Sequence, residues 1–157
     1  MMQKIFRTND NIAATIVRIV LGIVLFPHGA QMLLGWFGGY GFSGSMGFLT
    51  GGAHLPYVVA LLVIFIQFFG SLMLILGVGT RIAALGIFGL FVGMILTSHL
   101  DHGFFMNWFG AQKGEGYEYH LLVLGMSLAL LIKGAGKWSI DGLTFNKKQL
   151  AVEKIRG

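Results

Sequence analysis

The sequence predicts an all-α bundle of four membrane-spanning helices with both termini on the cytoplasmic side. Three observations carry that reading. Hydrophobic residues make up 55% of the chain and charged residues 11%, against about a quarter charged in a typical soluble domain. Apolar runs long enough to cross a bilayer recur along the chain, separated by tight turns or aromatic loops. The basic residues are also divided unevenly between alternate connections, as the positive-inside rule requires.

Residues 1–11 are polar and basic, with Lys4 and Arg7, and Asn9 or Asp10 is placed to cap a helix. The first span is predicted over residues 12–36. It carries Arg18, expected near one interface with its head group snorkelling to water. Pro27 lies inside the run and predicts a kink, with His28 directly after it. Residues 37–56 form a loop rich in glycine and aromatics without Lys or Arg. They are expected to lie in the interface, with a short helix around Ser45–Leu49.

The second span covers residues 57–77, with Gln67 near its middle. Gly77 to Arg81 reads as a helix-terminating turn followed by a basic anchor. The third span covers residues 82–98 and leads into a second polar, aromatic loop. The fourth, 118–133, is short, so its first turn coincides with the polar stretch Gly-Glu-Gly-Tyr-Glu-Tyr-His of residues 114–120. A basic tail of residues 134–157 completes what reads as a single membrane domain.

Four spans put both termini on one side. That side holds Lys4, Arg7, Arg18, Arg81, Lys133, Lys137, Lys147, Lys148, Lys154 and Arg156, and the other holds Lys113, ten against one. The net charge of +5 is therefore explained by topology, and no nucleic-acid partner is expected. The chain has no cysteine, which excludes thiolate nucleophiles and Cys-ligated zinc or iron–sulfur centres. No cleavable signal peptide is expected, because the first apolar run is too long. The glycines of residues 35–44 are not a phosphate loop, since neither a strand nor a Gly-Lys-Ser/Thr accompanies them.

The same topology places all five histidines, with Asp101, Glu115 and Glu118, toward the outer face. Projection at 100° per residue puts Glu118 on a stripe with Gly125 and Ala129, facing the bundle. It turns His120 toward a flanking helix or the headgroups. Gln67 shares a small-residue stripe with Ala60, Gly70 and Ser71, and Gly86, Gly93 and Thr97 form a packing face in the third span. His28 and Gln31 are neighbours one turn apart. These positions suggest an outer cavity ringed by His28, Gln31, Asp101 and Glu118, with Gln67 beneath it and His120 a further ligand candidate.

Glu118 is the best candidate for a proton-transferring group, because ionisable residues in a span are functional candidates by default. Its alternative role is a carboxylate stabilised at a helix N-terminus. His99 and His102 have a metal-pair spacing, but such spacing more often marks interfacial polar residues, and no metal is expected. A bis-histidine haem needs ligands at matching depth, a requirement that only His28 with His120 approaches, so haem is not the expected cofactor.

Several short segments, in order, resemble the DoxX family of small integral membrane proteins. They are Arg18-Ile-Val-Leu-Gly22, His28-Gly-Ala-Gln31, Gly35-Trp-Phe-Gly38, Leu76-Gly-Val-Gly-Thr-Arg81, Gly103-Phe-Phe, Glu115 to His120, and Gly134 to Asp141. Two positions depart from the family pattern: Met32 stands where Lys is frequent, and Gln67 where Glu is frequent. The family is similar to the large membrane subunit of a thiosulfate:quinone oxidoreductase. The resemblance implies a multi-pass protein of the bacterial cytoplasmic (inner) membrane, associated with redox chemistry. It implies quinone or another small molecule bound at the outer interface, and a redox-protein partner or a homo-oligomer. The alternative is a non-catalytic membrane partner or chaperone subunit that docks through the third span.

Overall fold

A computed structural model describes residues 10–144. The basic positions Lys4, Arg7, Lys147, Lys148, Lys154 and Arg156 lie outside the described residues. The described chain is helical, with no strand among the described residues. Helix α1 spans Ile12–Leu34. Helix α2, Gly41–Gly47, is extended by a π turn at Phe48–Gly52. Helix α3 runs over Tyr57–Leu76 with a π turn at Ile66–Gly70. Helix α4 runs over Thr80–His102, with a π turn at Ile95–His99 and a closing 3-10 turn at Leu100–His102. Helix α5 covers Glu118–Lys133.

Helices α1, α3 and α4 are each long and apolar enough to cross a membrane, with mean hydropathy 1.9, 2.7 and 1.9. At 1.5 Å per residue, the 16 residues of α5 rise about 24 Å, short of a hydrocarbon core of about 30 Å. The packing suits a lipid environment. Isoleucine, leucine and phenylalanine point outward at Ile16, Ile23, Leu62, Phe65, Leu85 and Leu122, while Ser71, Thr80 and Ser127 are buried. Lipid tails are as apolar as leucine, so helices associate through close packing of small residues rather than through hydrophobic exclusion from water.

Asn11 caps α1 by accepting from the Ala14 N–H at 3.1 Å. The helix continues unbroken through Pro27 and ends at Gly35, whose φ of 73° is the left-handed cap that glycine adopts without a Cβ penalty. Helix α1 packs against α2, α3 and α5. Its contact with α3 is backbone on backbone at Gly29, where a Cβ would sit 2.6 Å from the Phe68 backbone. Helices α4 and α5 pack side by side, and Leu21, Leu25, Leu74, Ile87, Phe91, Val123 and Leu130 form the shared core. A second cluster of Met46, Leu49, Ala60 and Ile64 seats α2 on α3.

One end of the bundle is tightly closed, and Arg18 is at its centre. The sequence suggests a guanidinium snorkelling to water, yet Arg18 is fully buried. Its Nη1 donates to the carbonyls of Leu74 at 2.6 Å and Ile75 at 2.8 Å. Nε donates to Ala135 O at 2.9 Å and Nη2 to Trp138 O at 3.1 Å. The last carbonyls of α3 have acceptor capacity left, Leu74 O even while accepting from the capping Gly77 N–H at 3.2 Å, and they provide what water would otherwise provide.

Asp141 does the converse for α4, its carboxylate accepting from Gly79 N at 2.8 Å and Thr80 N at 2.9 Å. The turn between them needs glycine at Gly77. Its φ is 68°, and a Cβ there would meet Ser139 and the Arg18 guanidinium. Thr15 adds a bond to Lys137 O at 2.8 Å, so the start of α1 and the segment after α5 share this end.

Candidate functional site

The opposite end opens into a cavity of about 540 Å³ between α1, α2, α3 and α4, within the range of small-molecule sites. Its polar lining comes from His28 and Gln31 of α1, Ser45 of α2, Gln67 of α3, and Thr97, Ser98 and His99 of α4. Tyr40 and Phe48 supply aromatic walls, and Met32, Leu49, Leu55, Val63 and Met94 supply aliphatic ones. Among the described residues, no Asp, Glu, Lys or Arg lines it.

Each π turn delivers part of this lining: Phe48 and Leu49 from the first, Gln67 from the second, and Thr97, Ser98 and His99 from the third. A π turn adds a residue to the helical repeat and re-aims the side chains beyond it, which is why such turns recur at functional sites.

Gln67 is 6% exposed, yet its side-chain amide makes no hydrogen bond to any described residue. The amide faces the cavity, where a ligand or water can hydrogen-bond it. Gly29 allows it, because the close approach of α1 brings the α3 backbone at Gln67 and Phe68 directly against α1. Gln31 is partly engaged: its Nε2 donates to Phe37 O at 3.1 Å, leaving its own carbonyl oxygen free. Phe37 holds that position with φ at 53°, in the left-handed region.

His99 is fixed in its tautomer. Its Nδ1 lies 2.8 Å from Glu115 O, and a carbonyl can only accept, so Nδ1 carries the hydrogen. The lone pair of a neutral His99 is therefore at Nε2. Behind it stands His120, buried, with the two ring centroids 4.1 Å apart. Neither nitrogen of His120 has a partner among the described residues, and its ring packs against Phe91 and Tyr119.

The candidates read from the sequence thus divide. His28, Gln31 and Gln67 share the cavity, and His99 joins them. Glu118 is not in the lining: its carboxylate accepts from Met106 N at 3.1 Å and pins the loop back onto α5. The neighbouring Glu115 does the same for Asn107 N at 2.7 Å. Asp101 is exposed in the last turn of α4. Of the two directions the projection left for His120, a flanking helix or the headgroups, the structure has the first: His120 is 4% exposed and faces α4.

His120 is also absent from the cavity that His28 lines, so those two do not face each other across it. His102 lies outside the cavity as well, with its ring against Gly114. Among the described residues, no group of three or more His, Cys, Asp or Glu side chains comes together as a metal site. Tyr40, Ser45, Phe48 and Ser98 enter the lining without having been singled out from the sequence, because loop closure and π turns leave no periodic signal.

The architecture is that of a small helical membrane protein with a cavity at one end of the bundle. A family model matches residues 13–100, more than half of the chain, and the protein belongs to the DoxX family. It is similar to "Putative oxidoreductase CatD" of Bacillus subtilis, at 27% identity over 138 residues, which cover 88% of this chain and 91% of that protein. No solved structure matches it. The two positions that depart from the family pattern, Met32 and Gln67, both line the cavity.

Proposed function

We propose that this DoxX protein is a redox-associated membrane protein that binds the head of a neutral quinone in the cavity. The observation that carries this reading is the Gln67 amide, free of any hydrogen bond to a described residue and facing a cavity to which no described residue brings a formal charge. A quinone carbonyl is an acceptor, and the Gln67 Nε2–H group can donate to it. His28 and His99 can meet the other polar edge, and Tyr40 and Phe48 can flank the ring. Neutral His99 accepts at Nε2 from a quinol hydroxyl, and protonated His99 donates from the same atom to a quinone oxygen. The relative bearing an oxidoreductase name supports this direction. Reduction of a quinone requires two electrons and two protons. A partner reductant provides the two electrons, and the two protons come from water at the cavity mouth, one of them passed to the quinone oxygen through His99 Nε2.

In this reading α5 is the fourth span, and the tightly closed end with both termini faces the bacterial cytoplasm. The ten-to-one division of basic residues supports that orientation. The cavity then opens near the outer interface, and Glu118 acts by holding the loop rather than by touching the ligand.

The test is native mass spectrometry of gently extracted protein, together with quinone titration followed by thermal stability. A bound quinone, or a quinone-dependent rise in Tm that Gln67→Leu weakens at least tenfold in affinity, supports the reading. No bound quinone and no shift with any quinone overturns it.

A further inference from the structure

Beside the cavity, a groove of about 170 Å³ runs between α3 and α4 on the surface of the bundle. We propose that this groove holds the hydrocarbon tail of the molecule whose head occupies the cavity, so that the site is loaded sideways from the bilayer. This rests on the proposed head-group site and adds the chemical class of the rest of the ligand.

The first argument is continuity. Leu55, Val63, Met94 and Thr97 line both spaces, so a chain leaving the cavity between α3 and α4 passes directly into the groove. The second is a change of chemistry across that boundary. The cavity offers hydrogen-bonding groups, including the Gln67 amide. The groove offers almost none. Thr97, the one hydroxyl in its lining, already donates to Gly93 O at 2.9 Å. A polar surface continuing into an apolar one fits a ligand with a polar ring and an alkyl or isoprenoid chain.

The third argument is that glycine makes the groove. At Gly89 and Gly93 an added Cβ would meet nothing within 4 Å. On a bilayer-facing helix, side chains at these positions would fill the channel. Gly86, one turn earlier, is different, because its Cβ would meet Ile66 at 3.4 Å in ordinary helix packing. The small face of α4 is therefore packed against α3 at Gly86 and open at Gly89 and Gly93. The sequence suggests one uninterrupted packing stripe; the structure divides it.

The experiment compares two probes with the same dimethoxy-methyl-benzoquinone ring, one tailless and one carrying a decyl chain. Both are titrated into full-length protein in nanodiscs, with the tailed probe expressed per mole of lipid to remove its partitioning. Gly93→Leu fills the groove, and Gly125→Leu on α5, whose Cβ also meets nothing within 4 Å, is the control. The expected result is a loss of tenfold or more in affinity for the tailed probe with Gly93→Leu, the tailless probe unchanged, and both unchanged with Gly125→Leu. If Gly93→Leu affects both probes equally or neither, the tail does not occupy the groove and the head-group site stands alone. If Gly93→Leu changes the oligomeric mass and leaves the tailed probe's affinity intact, the groove is a protein contact and the inference is overturned. If neither probe binds the unaltered protein, the head-group reading and this inference fall together.

Discussion

The imidazoles of His99 and His120 are in contact at a tilt of 44° with their centroids 4.1 Å apart, one ring in the cavity wall and the other sealed behind it. Both nitrogens of His120 lack a partner among the described residues, so its polarity costs stability in the resting protein. His120→Phe should leave stability unchanged or raise it by about 1 kcal/mol, with head-group affinity within a few-fold of the unaltered protein. Proton uptake during quinone turnover should slow about tenfold or more. Stopped-flow measurement with a pH indicator checks this; unchanged proton kinetics would leave His120 a packing residue.

Gln67 is the position where binding can be separated from folding. Gln67→Leu replaces a cavity-facing amide with a side chain of similar size. The empty protein should keep its stability to within about 1 kcal/mol, while ligand affinity falls at least tenfold. Thermal unfolding with and without quinone separates the two effects. A variant that is destabilised and binds normally would show that the amide serves the fold.

Removing Arg18 should be costly at the other end. Arg18→Met removes the donor to the carbonyls of Ile75, Ala135 and Trp138 and leaves Leu74 O with the Gly77 N–H alone. The loss should be about 3 kcal/mol or more, read from unfolding in mixed SDS micelles. Arg18→Lys should recover only part of it, because a lysine ammonium has three donors and lacks the planar fork of Arg.

Asp141 is expected to behave as a helix cap. Asp141→Ala removes the acceptors for Gly79 N and Thr80 N and should cost about 0.5–2 kcal/mol, whereas Asp141→Asn keeps a good capping group. The same unfolding assay compares them. Equal losses in both variants would assign the effect to the charge rather than to the cap.

Much of the architecture was legible because a bilayer imposes a simple rule. Backbone polar groups must be satisfied within the segment, so long apolar runs become helices, and α1, α3 and α4 follow it. The pairing of His28 with Gln31 was legible too, since one helical turn brings them to the same face. Arg18 was misread for a physical reason: whether a buried guanidinium finds acceptors depends on where two other segments end, and the sequence does not show that Leu74 and Ala135 meet it. The projection left His120 between a flanking helix and the headgroups, because it gives relative angles along one helix and not which angle faces a neighbour. The role of His99 was hidden by a π turn, which shifts the register of everything after Ile95. Glu118 is where sequence chemistry misleads most readily. A carboxylate at a helix start can serve a ligand or a loop, and here it accepts from the backbone of Met106.

The burial of Arg18 also has a consequence in time. Arg18 is synthesised 117 residues before Ala135, whose carbonyl it needs. Until then its charge sits in a nascent apolar helix with no such partner, and the acceptors at Leu74 and Ile75 are made only midway through. A ribosome-held chain ending before residue 135 therefore carries an incompletely solvated cation in its first helix. Such intermediates should remain beside the insertion machinery or near the interface and release into lipid only once the segment after α5 has emerged. Late closure of this kind makes the final helix a checkpoint on the first, and chains truncated there should be cleared by membrane proteases rather than accumulate.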